Sequence, residues 1–389
     1  MADFDLDITT LCVGQGLSVL IELKYQGGSF VGLLDCGTAQ KSKTNYKAAI
    51  TKIKNAIINN GNKLNYLHIS HFDKDHYNLL EILSQEFGRK IPLDKVVFGS
   101  VADDCSEIRE KVETYKRTIS EYFEIDQKNI YSLKFWYGLR RQGTYGDPSL
   151  EVVQKISYII NDLEGGYAFK IVPLIFHAQL INRIMSGLSE DCPVGKGVPI
   201  NAGSTILLIT LVKDADIPQA SYIFTGDAIA YTYRILNAQE NLKFGNEKKM
   251  LLISHHGAIR KIAETRKDIK SLDDLLTKIQ PTAAVVSAQS NGNWEHPNSQ
   301  VIAQYKKFRS IEQTDGHKFT SLYKQDQTMW VQSYNMEKRI YQTCYIDNLT
   351  DQKSECSQII PDWKRQHIIM HIKGENDSVT TTYDSEPIG

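Results

Sequence analysis

The sequence predicts an α/β chain in which strand-rich stretches alternate with helices twice over, with a helical insertion at about 101–165 and a small β-rich C-terminal extension. Three observations carry this. Short runs rich in Val, Ile, Leu and Tyr recur between Gly-containing turns. Stretches with apolar residues three and four apart lie between them. Both patterns run through once by about residue 100 and resume after about 165. Residues 1–316 read as the main domain and 317–389 as the extension, which ends in a polar tail expected to fray.

Taken in order, "FDLDITTLCV", "LSVLIELKY" and "FVGLLD" are strands parted by "GQG" and "QGG" turns. "YKAAITKIKNAIINNG" has helical periodicity and stops at Gly61. "LNYLHIS" is a buried strand, "HYNLLEILSQEFG" a helix and "KVVFGS" a strand. "EIREKVETYKRTISEYFEI" and "LEVVQKISYIINDLEGG" both read as helical, with "QGTYGDPS" as a loop between them. Strands resume with "YAFKIVPLIF", "STILLITLV" and "ASYIFTGD"; a helix, the strand "MLLISHHG", a helix at about 268–278, the strand "TAAVVSA" and a helix at about 298–309 follow. Beyond 317, "SLYKQ", "TMWVQSY" and "QHIIMHIK" are short strands.

The 389 residues are 41% hydrophobic and 23% charged, ordinary for a globular chain. Net charge is −1, so overall charge does not advertise a nucleic-acid partner. The start "MADFDLDITTL" lacks a basic stretch followed by an apolar one, so no signal peptide is expected. The longest apolar run, near "STILLITLV", is far short of the roughly 20 residues a membrane helix needs. Cys12, Cys36, Cys105, Cys192, Cys344 and Cys356 form no C-x-x-C pair and read as reduced thiols of a cytoplasmic protein.

Four sites put a metal-capable side chain just past a strand. "HFDKDH" holds His71, Asp73, Asp75 and His76 within six positions. In an extended segment, side chains at i and i+2 point the same way, so His71, Asp73 and Asp75 can converge, and His76 joins once the chain turns. Asp227 follows a tight strand exit in "TGD"; His255 and His256 lie in "HHG"; His296 precedes a helix in "EHPN". Imidazole nitrogens and carboxylate oxygens in fixed geometry suit divalent ions. Two ions close together need a bridging carboxylate, for which Asp227 is the candidate, and they lower the pKa of water between them toward neutrality. A lone histidine at a strand end is more often structural, and His68, His177, His317, His367 and His371 are read that way.

"SHFDKDH" resembles the signature loop of the metallo-β-lactamase superfamily. H-x-D-x-D-H in place of H-x-H-x-D-H resembles more narrowly the hydrolase domain of bacterial competence DNA-uptake proteins and its free-standing relatives. "LCVGQGLSVLIEL", "LLDCGT" and the order "NAGSTILLIT", "YIFTGDA", "LLISHHGA", "EHPN" agree, over about residues 5–310 outside the helical part. The resemblance implies an αββα sandwich with a metal site at one edge of two facing sheets. It implies that Asp75 and His76 hold one metal, that Asp227 bridges, and that a histidine of "HHG" completes the site. His256 is favoured over His255 because it precedes Gly257. His71 would lie at the other metal with Asp73 at or near it, and Asp35 would orient a histidine ligand. No histidine stands where the wider superfamily places its middle ligand. "NAGS" occupies that region, where Asn201 and Ser204 could bind a phosphate or a water. Two divalent ions, Zn²⁺ or Mn²⁺, are expected, with the oxygen-rich first site favouring Mn²⁺ or Mg²⁺. Leu17 and Cys12 depart from the subgroup's pattern.

The function this points to is a metal-dependent phosphodiesterase or nuclease acting on nucleic acid or a nucleotide. A hydroxide nucleophile would be oriented by Asp75; His296, or whichever of His255 and His256 is not a ligand, would contact the phosphate or protonate the leaving group. A small-molecule hydrolase (cyclic nucleotide or thioester) and a non-catalytic metal-binding module of a larger bacterial assembly are the alternatives. Arg140 and Arg141 read as backbone-phosphate contacts or as solvated charge, and Trp136 as core. The C-terminal extension is where a protein partner would dock.

Overall fold

The structure, a computed structural model, describes residues 3–39, 44, 46–99, 106–132, 155–174, 204–214, 217–239, 242–259, 262, 264–289, 296–326, 328–347, 353–355, 363–375 and 378–388. Three strands open the chain as an antiparallel meander: β1 (Phe4–Thr10), β2 (Ser18–Tyr25) and β3 (Gly28–Cys36). Helix α1 (Lys47–Asn59) returns the chain so that β4 (Leu64–Ile69) lies parallel to β3, and α2 (Leu79–Phe87) does the same for β5 (Ile91–Phe98). Gly88 ends α2 in the left-handed conformation. Helix α3 (Ser106–Tyr122) is the helical stretch expected there; β6 (Phe123–Glu124) and β7 (Ile130–Ser132) follow it onto β5.

The second half repeats the plan. β8 (Tyr158–Leu163), β9 (Tyr167–Pro173), β10 (Leu207–Lys213) and β11 (Ile217–Phe224) run antiparallel. Helices α4 (Ala230–Asn237) and α5 (Arg266–Ile279) cross over to the parallel strands β12 (Lys248–Leu252) and β13 (Ala283–Val286). Thr265 caps α5 reciprocally with Asp268. Helix α6 (Ser299–Lys307) leads to the hairpin β14 (Gln313–Gln325) and β15 (Thr328–Lys338). The chain closes with β16 (Ile340–Gln342), β17 (Cys344–Ile346), β18 (Lys353–Glu355), β19 (Trp363–Glu375) and β20 (Ser378–Ile388).

Among the described residues, one sheet runs β17-β19-β1-β2-β3-β4-β5-β6, with β20 on β19 and β7 on β5; the other runs β16-β13-β12-β11-β10-β9-β8. A third, small sheet is β14-β15-β18. Three apolar clusters define the layers. One lies between the large sheets, with Phe4, Tyr66, Phe169 and Phe224 fully buried. A second joins the first sheet to α1, α2 and α3; a third joins the second sheet to α4, α5 and α6. This is an αββα sandwich, each sheet burying one face on its partner and one on helices. No helix among the described residues is long and apolar enough to cross a membrane.

Two sequence expectations fail. The stretch 155–163, read as helical, contains strand β8. Tyr158, Ile159 and Ile160 pair with β9, and the Tyr158 ring packs 4.7 Å from Phe30, so cross-strand burial overrides helical spacing. The tail expected to fray is β20, paired with β19 from Ser378 to Ile388.

His68, read as a structural residue, is buried on β4 against the Phe224 ring. Burial holds its imidazole down at about 4, against 6.5 when free, so the unfolded chain binds this proton more readily than the folded one. Stability carried by His68 is therefore present above pH 6.5 and lost as pH falls toward 4. In urea titrations at pH 7.5 and 5, His68→Leu is expected to lose about 2 kcal/mol less than wild type between the two conditions. An equal loss would reject this account.

Candidate metal centre

The site forms where strands of both sheets end. Past β4 the chain passes Ser70 and His71 and turns through Lys74–His76. Past β11 come Thr225, Gly226 and Asp227, and past β12 His255 and His256. Gly226 has φ +51°, and a Cβ there would stand 2.8 Å from Ser70 Oγ. Gly37 allows an equally close approach from the end of β3. Its Cβ would lie 2.3 Å from the Asp75 carbonyl carbon, so only glycine lets the Asp75–His76 turn settle here. Asp35, His255 and His256 hold positive φ values of 53°, 48° and 54°, conformations that cost non-glycine residues about 1 kcal/mol or more each and concentrate at functional sites.

Asp227 stands at the centre. Its Oδ1 lies 3.3 Å from His76 Nε2 and 3.8 Å from His256 Nε2; its Oδ2 lies 3.8 Å from His71 Nε2 and 3.7 Å from His255 Nε2. Asp75 Oδ2 is 3.5 Å from His256 Nε2. Among the described residues, two triads have donor atoms within 4.8 Å of one another: His71, His76 and Asp227, and Asp75, His76 and His256. His76 thus belongs to both. Of the "HHG" pair, His256 is in a triad; His255 is more exposed and its Nε2 lies 3.7 Å from Asp227 Oδ2. Asp73 is outside both triads, its carboxylate 41% exposed and 3.6 Å from His71 Nε2.

The residues fit a divalent cation. Among the described residues, His71 Nε2, His76 Nε2, His256 Nε2 and Asp227 Oδ1 are buried without hydrogen-bond partners, and they face one another. Buried polar atoms ordinarily find partners, and a mixed nitrogen and oxygen donor set of this kind is what a divalent ion takes. Burial by itself would raise the Asp227 carboxyl, but the imidazoles of His76, His255 and His256 outweigh it and hold it well below the usual carboxylate range. Asp75 is likewise lowered against its burial, by neighbouring His256 and His76. Both are anionic donors at neutral pH.

A supporting layer orients the donors. Asp35 is fully buried and accepts 2.6 Å hydrogen bonds from Ser70 N, Ser70 Oγ and His76 Nδ1, which turns His76 Nε2 toward Asp227. Ser70 Oγ also lies 3.0 Å from His71 Nδ1. Ser204 Oγ accepts from Asp227 N at 3.1 Å and lies 3.3 Å from His71 Nδ1. His256 Nδ1 bonds the Ser287 carbonyl at 2.7 Å. Sequence reasoning missed Ser70 and Ser287. Adjacency to His71 was the signal for Ser70; no motif marks Ser287. His296 is buried, its ring 5.9 Å from His255 and 6.0 Å from His256. Burial, then the charges of His256 and His255, push it down to about 3, so its imidazole is neutral at physiological pH.

Asn201, Arg140, Arg141, Trp136 and His177 lie outside the described residues. Cys12, Cys36 and Cys344 are buried free thiols.

No family model and no curated protein matches the chain. Solved structures do. The metallo-beta-lactamase fold protein YhfI from Bacillus subtilis is 11% identical at a TM-score of 0.37, over 79% of this chain and 93% of that one. ST1585, an archaeal metallo-beta-lactamase superfamily protein from Sulfolobus tokodaii, is 13% identical at 0.27, over 77% and 84%. The metallo-beta-lactamase MIM-1 from Novosphingobium pentaromativorans is 13% identical at 0.25, over 76% and 80%. At these identities and scores they add nothing to what the His/Asp cluster itself implies about chemistry.

Proposed function

We propose that this chain is a metal-dependent hydrolase of the phosphodiesterase or nuclease type, with nucleic acid or a nucleotide as substrate. The observation that carries it is the cluster of His71, His76, His256 and Asp227, whose buried donor atoms face one another with Asp75 beside them where strands of the two sheets end. Asp75, His76 and His256 would hold one ion, and His71 and Asp227 a second. A bound divalent ion would supply Lewis acidity toward a substrate oxygen and toward water. Asp75, ionised and partly exposed, can accept a hydrogen bond from an attacking water and orient it. Neutral His296 can hydrogen-bond a phosphate oxygen or a leaving group. The choice of phosphodiesters rests on the oxygen-rich "HFDKDH" motif and its resemblance to the DNA-uptake hydrolase domain.

Hydrolysis of single-stranded DNA, RNA and bis(p-nitrophenyl) phosphate, with Mn²⁺ and with Zn²⁺, tests this. Asp75→Ala is expected to reduce the rate about 10²- to 10³-fold. Equal rates for the two proteins would sink the mechanism, and turnover of the small diester alone would favour a small-molecule hydrolase.

A further inference from the structure

Asn78 closes the turn that carries Asp75 and His76 and opens helix α2, yet it lies outside both triads. An asparagine at the start of a helix ordinarily turns its side chain back to accept from the first backbone N–H groups. Here it makes no such cap. Its carboxamide reaches across to the segment after β3: Thr38 N donates to Asn78 Oδ1 at 2.9 Å, and Asn78 Nδ2 donates to the Thr38 carbonyl at 2.7 Å. Both polar atoms of the side chain are thus committed to one residue of another segment.

That segment carries Asp35, whose carboxylate holds His76 Nδ1 at 2.6 Å. Between Asp35 and Thr38, Gly37 meets the Asp75–His76 backbone so closely that a Cβ would lie 2.3 Å from the Asp75 carbonyl carbon. The "VGQG" stretch holds the segment from its other side: Gly37 N donates to the Leu17 carbonyl at 3.1 Å, and Thr38 Oγ1 to the Val13 carbonyl at 2.6 Å. Leu17 N in turn donates to the Asp75 carbonyl at 3.1 Å. The turn is therefore fixed at Asp75 by Leu17 and at its end by Asn78.

We propose that Asn78 is a positioning residue, whose double hydrogen bond to Thr38 sets the turn carrying Asp75 and His76 against the segment carrying Asp35. The inference rests on the metal-site part of the hydrolase reading and not on the choice of phosphodiesters. Without this clasp the turn keeps its donors but gains freedom relative to Asp35. Asp75 and His76 Nε2 then no longer meet a cation in one fixed geometry. A residue that orients a ligand in this indirect way is worth roughly 10- to 100-fold in metal affinity.

Co²⁺ binding tests this, because the visible absorption of the bound ion follows its ligand geometry. In Asn78→Ser the serine is as good a helix cap as asparagine, so α2 is preserved, but one hydroxyl cannot replace both atoms of the carboxamide. Asn65→Ala is the control. It loses bonds of the same kind, from Val31 N and to Asp94, near the start of β4. Asn78→Ser and Asn78→Ala are expected to raise the Co²⁺ dissociation constant about 10- to 100-fold and to change the visible spectrum, while Asn65→Ala stays within about twofold of wild type. A wild-type constant and spectrum in Asn78→Ser, or the same shift in Asn65→Ala, overturns the proposal. If wild type binds no Co²⁺, the metal reading falls, and the metal-free protein decides the inference by itself. With isotope-labelled histidine, the His76 Nδ1 proton is the resonance lost in His76→Gln. It is expected to exchange with water about tenfold faster in Asn78→Ser, and an unchanged rate overturns the proposal.

Discussion

Asp227→Ala is expected to leave the protein with less than about 0.2 equivalents of bound metal after dialysis and to lower hydrolysis about 10³-fold or more. The reason is position. One carboxylate faces four imidazoles at 3.3–3.8 Å, and its two oxygens divide them, His76 and His256 on one side, His71 and His255 on the other. Removing it leaves the positive cluster without its central anion and takes an oxygen donor from the metal site. Asp227→Asn keeps the shape and loses the charge, so metal content should fall nearly as far while the fold is better preserved. Atomic emission on the purified proteins reads the result. Wild-type metal content in Asp227→Ala would mean that Asp227 is not a ligand.

Asp35→Ala is expected to have the largest effect on stability. Asp35 accepts three 2.6 Å hydrogen bonds in a fully buried setting, from Ser70 N, Ser70 Oγ and His76 Nδ1. Each buried donor left unsatisfied costs about 1–3 kcal/mol, so a loss of about 3 kcal/mol or more is expected in urea titrations of the metal-free protein. Alanine at φ +53° adds strain that asparagine would tolerate better. With His76 no longer held by Nδ1, metal affinity should drop a further 10- to 100-fold by chelator competition, on the usual scale for a residue that orients a ligand. Unchanged metal-free stability would show that these bonds contribute nothing net.

How much of this was legible follows from the range of each interaction. His71, Asp75, His76, Asp227 and His256 could be found because each lies within a few residues of an apolar run that must be a strand. A strand exit puts successive side chains in known directions. The helices α1, α2, α5 and α6 were legible for the same local reason. Asp73 shows the limit. Alternation brings it to 3.6 Å from His71 Nε2, but the turn begins immediately after it and leaves its carboxylate 41% exposed, which spacing alone does not show.

The sequence by itself determined which residue types are delivered to strand ends, and hence that this chain carries a histidine and carboxylate cluster. Only the tertiary structure decided how the cluster is divided, with His76 in both triads and Asp35, Ser70, Ser204 and Ser287 behind it. It also decided that β19 pairs with β1, Phe4 opposite Gly374, so the two ends of the chain share one sheet, and that the polar tail is strand β20. These are contacts between residues tens to hundreds of positions apart. Local propensity and spacing carry no information about them, because sheet pairing and buried hydrogen bonding choose partners only once the layers meet.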